Sequence, residues 1–378
     1  MVGQTEKQKD RHKGKSSAAG TAQGEVSLGS LFDGIGVFPL AAVRQGIRPA
    51  WASEIEKSSI SITRRHFPEM RHLGDVAGVH GGKVEPVHVI TFGSPCQDLS
   101  TAGLRKGLAG AKSGLFAQAV RIIEEMRCAT DGMYPAFAVW ENVMGAFSSN
   151  DRMDFRTVLE SFAGTQIPMP ASGRWAGAGM VRGGRADIGW RVMDAQYWGR
   201  PPVPQRRKRI FLVADFRGQR AGEVLFIPQS LLPDSGRRGS GRLQAPAGGG
   251  IPADEAGREI PVVRPIQERR LRGAATEGNA GNFLRSLGRS DDPFPTLLAS
   301  SVDMFSFWYQ GREREGVVRY LTPLECERLQ GLPDGWTARG DGGQPISDSA
   351  RYVALGNSIA LPCAEYVLSG IARVLGRN

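Results

Sequence analysis

Cys96 is the residue in this sequence best placed to act as a nucleophile. It lies in the segment GSPCQDLS (residues 93–100), directly after an apolar run from Val87 to Phe92 that predicts a β-strand. Ligands of open α/β sheets bind where strands end, and a thiol in a polar loop bounded by Gly and Pro is accessible there. A lone cysteine is more often structural and lies within an apolar period. The remaining cysteines fit that description and are predicted to be structural: Cys128, Cys326 and Cys363.

An acid and an amide, Glu141 and Asn142, follow a strand predicted from Ala136 to Trp140. Burial in a cleft can keep a carboxyl group protonated, and it can then donate to a ring nitrogen. The alternative interpretation is a surface glutamate beside an asparagine that caps a helix.

A basic segment, QRRKR (residues 205–209), leads into a strand predicted from Arg209 to Ala214. Alternation along an extended chain places Arg207 and Arg209 on one side and Arg206 and Lys208 on the other. One pair can therefore face a cleft that holds phosphate groups, although a plain basic strand edge would have the same pattern.

The segment FDGIG (residues 32–36) follows a strand predicted from Glu25 to Phe32, and Glu54 ends the next predicted strand, Arg48 to Ser53. Glycines let a backbone approach a ligand, and an acid at the end of the second strand can bind ribose hydroxyls. This pattern favours a nucleoside cofactor. A glycine turn beside a solvated acid is the alternative. A NAD-linked dehydrogenase is disfavoured because the third glycine of GxGxxG is missing.

The elements that position these residues alternate between strands and helices, which predicts a mostly parallel α/β sheet. Helices are predicted at Phe38 to Gly46, Lys57 to Phe67, Leu115 to Arg127, Thr322 to Gln330 and Leu361 to Leu375. The fourth of these carries a capping box, since Thr322 is followed three residues later by Glu325.

Charge, cysteine content and the lengths of apolar runs limit the classes of protein to which the chain can belong. The chain has 378 residues and a net charge of +10, which favours polyanionic partners. After Lys112 arginine replaces lysine except at Lys208, which suits contacts to phosphates, although a codon bias towards arginine would give the same pattern. Four cysteines without a CxxC pair argue against a disulfide framework or a structural zinc site. No signal peptide or membrane-spanning run is present, so we expect a cytoplasmic protein.

Four parts are expected along the chain. Residues 1–24 form a basic, disordered tail, and 25–215 and 319–378 form one catalytic domain. Residues 216–318, rich in Gly, Pro and Arg, form a second module.

Taken together and in this order, the motifs resemble those of the DNA (cytosine-5) methyltransferase family. They are FDGIG, GSPCQDLS, ENV, QRRKRI, RYLTPLECERLQGLPDGW and GNSIALP, and they span residues 26–215 and 317–372. The resemblance implies a Rossmann-like, S-adenosylmethionine-dependent methyltransferase fold with helices on both faces of the sheet. It also implies a smaller target-recognition domain.

The resemblance further implies roles for individual residues. Cys96 would attack carbon 6 of cytosine, protonated Glu141 would donate to nitrogen 3, and Asn142 would position the surrounding loops. Arg207 or Arg209 would steady the exocyclic oxygen and the thiolate. The residues expected to bind S-adenosylmethionine are Phe32, Asp33, Gly34, Ile35, Gly36, Glu54, Ile55, Asp75, Val76, Pro95, Leu115, Asn357 and Ser358. Glu54 would bind the ribose, Ile55 and Asp75 the adenine, and Asn357 and Ser358 the methionine end. S-adenosylhomocysteine would be the product, and no metal is expected.

Two segments depart from the family pattern. Residues 110–113 read GAKS where the family often has Asp-x-Arg-Gly, and GRPPVP (residues 199–204) is longer than the usual Gly-Val-Pro.

The partners implied are duplex DNA and, in a restriction-modification system, a cognate endonuclease. We expect a monomeric protein, encoded by a prokaryote or a phage, that binds no membrane. Two alternatives stay open: an RNA methyltransferase of the same fold, acting on transfer RNA, and a DNA-binding module without catalysis. Intact Cys96, Glu141 and the arginine pair argue against the second.

Overall fold

The computed structural model describes residues 25–94, 114–226, 262–270, 283–287, 294, 296–297, 305–309 and 316–376. Pro95, Cys96 and the basic tail at 1–24 lie outside the described residues.

One sheet of eight strands carries the motifs. Its strands are β1 (Ser27–Leu31), β2 (Arg48–Ser53), β3 (Arg71–His72), β4 (Val89–Phe92), β5 (Phe137–Val143), β6 (Ala178–Arg182), β7 (Asp187–Asp194) and β8 (Lys208–Asp215). The order is β3-β2-β1-β4-β5-β8-β7-β6. The first five strands in this order are parallel, whereas β8, β7 and β6 continue the sheet through antiparallel pairs. The mostly parallel sheet predicted from the sequence is confirmed.

Helices cover both faces of this sheet, as expected. They are α1 (Val37–Arg44), α2 (Lys57–His66), α3 (Leu115–Ala129), α4 (Met153–Ala163), α5 (Ala221–Leu225), α6 (Pro323–Leu329), α7 (Asp348–Asn357) and α8 (Leu361–Val374). Alternate strand residues point to opposite faces. In β5, Phe137 and Val139 therefore join the core under α1, α5 and α8, while Ala138 and Trp140 join the core under α3 and α4.

A second, antiparallel sheet lies within the segment expected to form a separate module. It consists of β9 (Val262–Arg270), β10 (Phe283–Leu287), β11 (Phe305–Tyr309) and β12 (Gly316–Tyr320), in the order β10-β9-β11-β12. Helix α5 instead belongs to the first sheet, because Ala221, Val224 and Leu225 are buried in the core that contains α8. Helix α5 therefore packs on the first sheet, although it lies within residues 216–318, the segment expected to form the second module.

The C-terminal part returns to the first sheet. Helix α6 begins with the predicted capping box, in which Thr322 and Glu325 bond reciprocally. Helix α8 packs against α1, so the last motif of the chain lies beside the first.

Candidate active site

The carboxyl ends of β1, β4 and β5 meet at one edge of the sheet because these strands are parallel neighbours. The glycine loop follows β1, and Ser94 follows β4. Glu141 and Asn142 are among the last three residues of β5. Strand β5 is longer than predicted and includes these two residues. The pairing of Phe92 with Trp140 brings Gly93 beside Glu141.

The glycine loop leaves its backbone open to a ligand. Gly34 has a φ of 57°, and no atom lies within 4 Å of where a Cβ would be. Its amide donates to Glu54 Oε2 at 2.7 Å. A side chain at this position would be strained and would fill the space above the loop. This open, glycine-lined loop fits the cofactor that the resemblance implies.

Glu54 is held in one orientation by backbone amides. Its Oε1 accepts from the amides of Ile55 at 2.8 Å and Glu56 at 3.0 Å, while Oε2 accepts from Gly34. Ile55 next to it is 72% exposed, which leaves a large apolar side chain for a ligand to cover.

The other residues expected around the cofactor occupy varied environments. Asp75 is exposed and caps a short 3₁₀-helix by accepting from the Ala77 amide at 2.9 Å, while Val76 is buried. Leu115 is half-buried at the start of α3. Asn357 is exposed at the end of α7, and Ser358 after it is buried.

Glu141 lies buried beside an arginine. Its Oε1 lies 3.1 Å from Arg209 Nε, and the residue is 7% exposed. Burial raises the pKa of the Glu141 carboxyl, and Arg209 and Arg207 oppose that shift. Gly93 makes room for this carboxyl, since a Cβ on Gly93 would lie 3.2 Å from Glu141 Oε2. The arrangement favours a carboxyl group that holds its proton and can donate it.

Asn142 anchors the chain that leads to Cys96. Its Nδ2 donates to the Ser94 carbonyl at 3.0 Å, and Trp140 Nε1 donates to Ser94 Oγ at 3.2 Å. Ser94 is buried and lies two residues before the cysteine. The role predicted for Asn142, positioning the surrounding loops, fits this contact.

Arg207 has a different environment from Arg209. It is 2% exposed, and its guanidinium donates to the carbonyls of Leu297 at 2.8 Å, Gly356 at 3.0 Å and Ser358. Burial lowers the pKa of Arg207, and the Arg209 charge adds to that shift. Since its N–H groups bind carbonyls, Arg207 fits a positioning residue, and Arg209 is the arginine that contacts Glu141.

Trp336 is a residue whose role the sequence did not reveal, although it lies in the quoted motif RYLTPLECERLQGLPDGW. Its indole Nε1 donates to the carbonyl of Ile35 in the glycine loop at 2.8 Å. The ring stacks on His66, with centroids 3.6 Å apart, and His66 Nε2 hydrogen-bonds the Trp336 carbonyl at 2.8 Å. Buried Glu327 holds the loop that contains Trp336 by accepting from the amides of Gly335 and Thr337.

The prediction that the other cysteines are structural holds for two of the three. Cys326 and Cys363 are buried, and burial raises the pKa of both thiols, that of Cys326 to about 12. Cys128 is exposed. Its prediction as a buried residue was wrong because it follows the buried face of α3 by two positions, after Met126, and points outward.

In the described part of the chain, His, Cys, Asp and Glu form no group of three or more that could hold a metal ion. No helix within those residues has the length and apolar character that a bilayer span requires.

We expect Trp336→Phe to loosen the glycine loop. The variant keeps a ring to stack on His66 but leaves the buried Ile35 carbonyl without its donor. Such a loss costs about 1–3 kcal/mol. The free energy of unfolding should fall by that amount, and S-adenosylhomocysteine should bind more weakly in calorimetry.

Trp175→Phe is the matched control. It also removes an indole-to-carbonyl hydrogen bond, from Nε1 to the Arg152 carbonyl at 2.9 Å, but outside the glycine loop. Equal effects of the two substitutions on binding would contradict the role given to Trp336.

Comparison with known proteins extends these observations. The family model described as C-5 cytosine-specific DNA methylase matches residues 26–235 and 262–373. Among curated relatives, the type II methyltransferase M.HhaI of Haemophilus parahaemolyticus is 25% identical over 91% of this chain and 94% of its own length. The type II methyltransferase M.HpaII of Haemophilus parainfluenzae is 24% identical over 92% and 89%.

A third relative carries a different name. The "DNA N-6-adenine-methyltransferase" of Escherichia phage P1 is 25% identical over 94% of this chain, which spans 62% of that relative's length.

Solved structures share the fold. A prophage-encoded DNA modification methyltransferase of E. coli, described as putative, has a TM-score of 0.56 at 19% identity and covers 93% of this chain and 100% of its own. The S. pombe Dnmt2 methyltransferase has a TM-score of 0.56 at 16% identity and covers 93% and 99%. With the family model matching most of the chain, this protein belongs to the C-5 cytosine-specific DNA methylase family.

Proposed function

We propose that this protein transfers a methyl group from S-adenosylmethionine to carbon 5 of cytosine in a specific duplex DNA sequence. The observation that carries the proposal is the buried Glu141 beside Arg209, with Asn142 anchoring the chain two residues before Cys96. An acid of raised pKa next to an arginine, at the strand ends of a methylase-family chain, suits a reaction that places negative charge on a ring.

The covalent step compensates for a weak nucleophile. Carbon 5 of cytosine does not attack a methyl donor unaided. When the Cys96 thiolate adds at carbon 6, carbon 5 acquires enamine character and becomes nucleophilic. After methylation, loss of the carbon 5 proton and of the Cys96 sulfur restores the aromatic ring.

The protein's charged groups balance the charge that develops on the ring. Protonated Glu141 donates to nitrogen 3 as the thiolate adds, which neutralises the ring when its electron density rises. Arg209 lies against Glu141 and supplies a fixed positive charge at the same place. Arg207 acts indirectly, because its guanidinium donates to the carbonyls of Gly356 and Ser358 and so holds the segment that follows α7.

Cofactor binding is assigned to the loop after β1 and its neighbours. S-adenosylmethionine, when bound, supplies an electrophilic methyl group. Gly34 leaves room for it, Glu54 is oriented by three amides to accept from ribose hydroxyls, and Ile55 offers an apolar surface to the adenine. Gly36 keeps its predicted role of letting the backbone close on the cofactor, although a Cβ there would meet the side chains of Phe67 and Thr63 at 2.9 Å. The other residues predicted to bind the cofactor, including Asp75, Val76, Pro95, Leu115, Asn357 and Ser358, keep those roles in the proposal.

Recognition of DNA is assigned to the second module. A base inside a duplex cannot reach a buried carboxyl such as Glu141, so the target cytosine must flip out at a cost of a few kcal/mol. The net charge of +10 favours the phosphate contacts that offset this cost. The expected recognition region, 216–318, includes strands of the second sheet.

The remaining expectations belong to the same proposal. We expect a monomer that acts in a prokaryotic cytoplasm or from a phage, with a cognate restriction endonuclease where the gene is part of such a system. Methylation assays on duplex DNA and on transfer RNA distinguish the proposed substrate from RNA.

Methylation of adenine is the second candidate, favoured by the name of the phage P1 relative. The adenine amino nitrogen carries its own lone pair and needs no covalent activation by a thiolate. The identity of the methylated base in the DNA product therefore distinguishes the two candidate functions. 5-Methylcytosine supports the proposal, and N6-methyladenine contradicts it.

Cys96→Ala should abolish methyl transfer while DNA and S-adenosylhomocysteine still bind. Loss of the thiol removes the addition at carbon 6, without which carbon 5 stays unreactive. Transfer of tritiated methyl groups to duplex DNA measures the activity. Cys128→Ala, which changes an exposed thiol, should retain full activity. Turnover by the purified Cys96→Ala protein would reject the covalent mechanism.

A duplex with 5-fluorocytosine at the target position tests the same thiol directly. Fluorine cannot leave as a cation, so the ring stays bonded to the protein after methylation. A denaturation-resistant complex that maps to Cys96 by peptide mass is expected. Its absence despite methylation of the normal duplex would contradict the mechanism.

Glu141→Gln should lower the single-turnover rate by about 10²–10⁴, because an amide cannot deliver a proton to nitrogen 3. The pKa of Glu141 is raised, and only the protonated form donates. The rate of the unmodified protein should therefore fall as the pH rises through that pKa, and the variant should lack this alkaline decline.

Glu54→Gln is the control for the pH profile. It should weaken cofactor binding yet keep the alkaline decline, because Glu54 has no role in proton donation. A Glu141→Gln profile that still declines at alkaline pH would remove Glu141 from the acid role.

A further inference from the structure

The segment that connects β7 to β8 lies at the sheet edge that carries Glu141. Strands β5 and β7 both pair antiparallel with β8, so they run in the same direction and end at the same edge. Arg209 on β8 is the register partner of Val143 on one side and of Met193 on the other. The usual spacing of paired strands puts the end of β7 about 10 Å from β5. Residues 195–207 therefore border the site proposed for the target cytosine.

Contacts to the fold hold this surface segment in place. Its turn, GRPPVP (residues 199–204), closes through the Val203 amide, which donates to the Trp198 carbonyl at 3.2 Å. The Trp198 ring packs against Tyr366 of α8, with centroids 4.3 Å apart, and the Arg191 guanidinium lies 5.1 Å from the centre of the same ring. Prolines restrict the backbone of the turn. Side chains presented by such a turn lose little freedom when they bind a ligand.

The charged side chains that the segment exposes are all cationic. Arg200 lies in the turn that is longer than the usual Gly-Val-Pro, and Arg206 and Lys208 follow it; all three are exposed. Residues 195–209 include five Lys or Arg and no acid, and Asp194 before them is buried. An exposed group of charges of one sign attracts a polyanion.

The two pairs of basic residues separated by alternation differ in their surroundings. Arg207 is buried and Arg209 half-buried, and both are used within the site. Arg206 and Lys208 alternate with them and are exposed. The Arg206 amide also donates to the Phe294 carbonyl at 2.7 Å, which fixes its backbone to the second module. Arg206 and Lys208 are therefore the pair that phosphate groups can reach.

Tyr197 adds a neutral donor to the same surface. Its side chain is 75% exposed, whereas Trp198 next to it is half-buried. A tyrosine hydroxyl donates to phosphate oxygens without adding charge, and its ring packs against sugars. Cations that surround a neutral donor are typical of a surface that binds a nucleic-acid backbone.

We infer that Tyr197, Arg200, Arg206 and Lys208 bind phosphate groups of the duplex beside the flipped cytosine. This inference rests on the proposed function and gives the first sheet a share of DNA binding besides that of the second module. With a rise of about 3.4 Å per nucleotide along one strand, a phosphate about three nucleotides from the target lies within reach. Phosphate contacts carry no sequence information, so these residues position the duplex without selecting the target.

The salt dependence of duplex binding tests the three cations. The logarithm of the association constant falls with the logarithm of salt concentration, with a slope of about 0.9 for each phosphate contact. The combined variant Arg200→Gln, Arg206→Gln and Lys208→Gln should lower that slope by about 2.7, and each single substitution by about 0.9. Target and non-target duplexes should lose affinity by the same factor, because no base contact is removed. Fluorescence anisotropy measures binding, and unchanged affinity for S-adenosylhomocysteine shows that the fold is intact.

Arg217→Gln is the matched control. Arg217 is exposed just beyond the end of β8, at the opposite edge of the sheet, so this variant loses the same charge away from the proposed contact. Its salt slope should equal that of the unmodified protein. Tyr197→Phe should bind duplex DNA about tenfold more weakly at an unchanged slope, because it loses a hydroxyl that donates to a charged group.

The outcomes separate this inference from the proposed function. A combined variant with the salt slope of the unmodified protein, or an equal fall with Arg217→Gln, overturns the inference. A greater loss of affinity for the target than for the non-target duplex also overturns it, since it indicates base recognition. Unchanged duplex affinity of Tyr197→Phe removes the contact assigned to Tyr197. If the unmodified protein binds duplex DNA with the expected slopes but forms no 5-methylcytosine, the phosphate contacts stand and the proposed function fails.

Discussion

The contacts of one buried guanidinium hold the candidate site together. Arg207 enters from the start of β8 and donates to carbonyls of Leu297, Gly356 and Ser358, which are 90 to 151 residues distant in the chain. Burying a cation is costly unless its N–H groups find acceptors, and here Nη1 and Nη2 donate to backbone carbonyls, while Nε has no partner among the described residues. Leu297, which lies between β10 and β11 of the second module, and the turn between α7 and α8 are thereby held against the sheet edge that carries Glu141.

A second set of hydrogen bonds lies at the part of that edge where the glycine loop is. Trp336 donates to the Ile35 carbonyl, and Gln330 Nε2 donates to the Leu355 carbonyl at 3.1 Å, so the C-terminal motifs support both the glycine loop and the α7–α8 turn. Along the chain, the second module lies between Arg207 and Trp336. Phe294 bonds to Pro204 and Arg206 through backbone groups, which places the segment between β10 and β11 beside the arginine segment. Backbone hydrogen bonds therefore connect the second module directly to the segment that carries Arg207 and Arg209.

Much of this arrangement could be predicted from the sequence, because short apolar runs ending in glycine or a polar motif specify parallel strands well. The bounds of β2 were predicted correctly, and the capping box of α6 formed as expected. Helix α4 and strands β6 and β7 were missed. Strand β7 contains the buried acids Asp187 and Asp194, which accept from the backbone amides of Ala221 and Arg207, so the polar residues at its ends obscured a strand that lies between β8 and β6. Alternation grouped Arg207 with Arg209, but the carbonyl acceptors of Arg207 come from remote segments that no local pattern specifies.

The fold gives two buried acids opposite electrostatic surroundings at the same sheet edge. Glu141 has Arg209 and Arg207 near it, and their charges partly offset the effect of burial on its pKa. Asp33 has Glu54 near it, which adds to the effect of burial. An acid beside fixed cations can give up a proton to a substrate and be stabilised as an anion afterwards, as a proton donor requires. The different neighbours of these carboxyls, rather than their shared burial, therefore set them apart: Arg209 and Arg207 oppose the rise in the pKa of Glu141, whereas Glu54 adds to the rise in the pKa of Asp33.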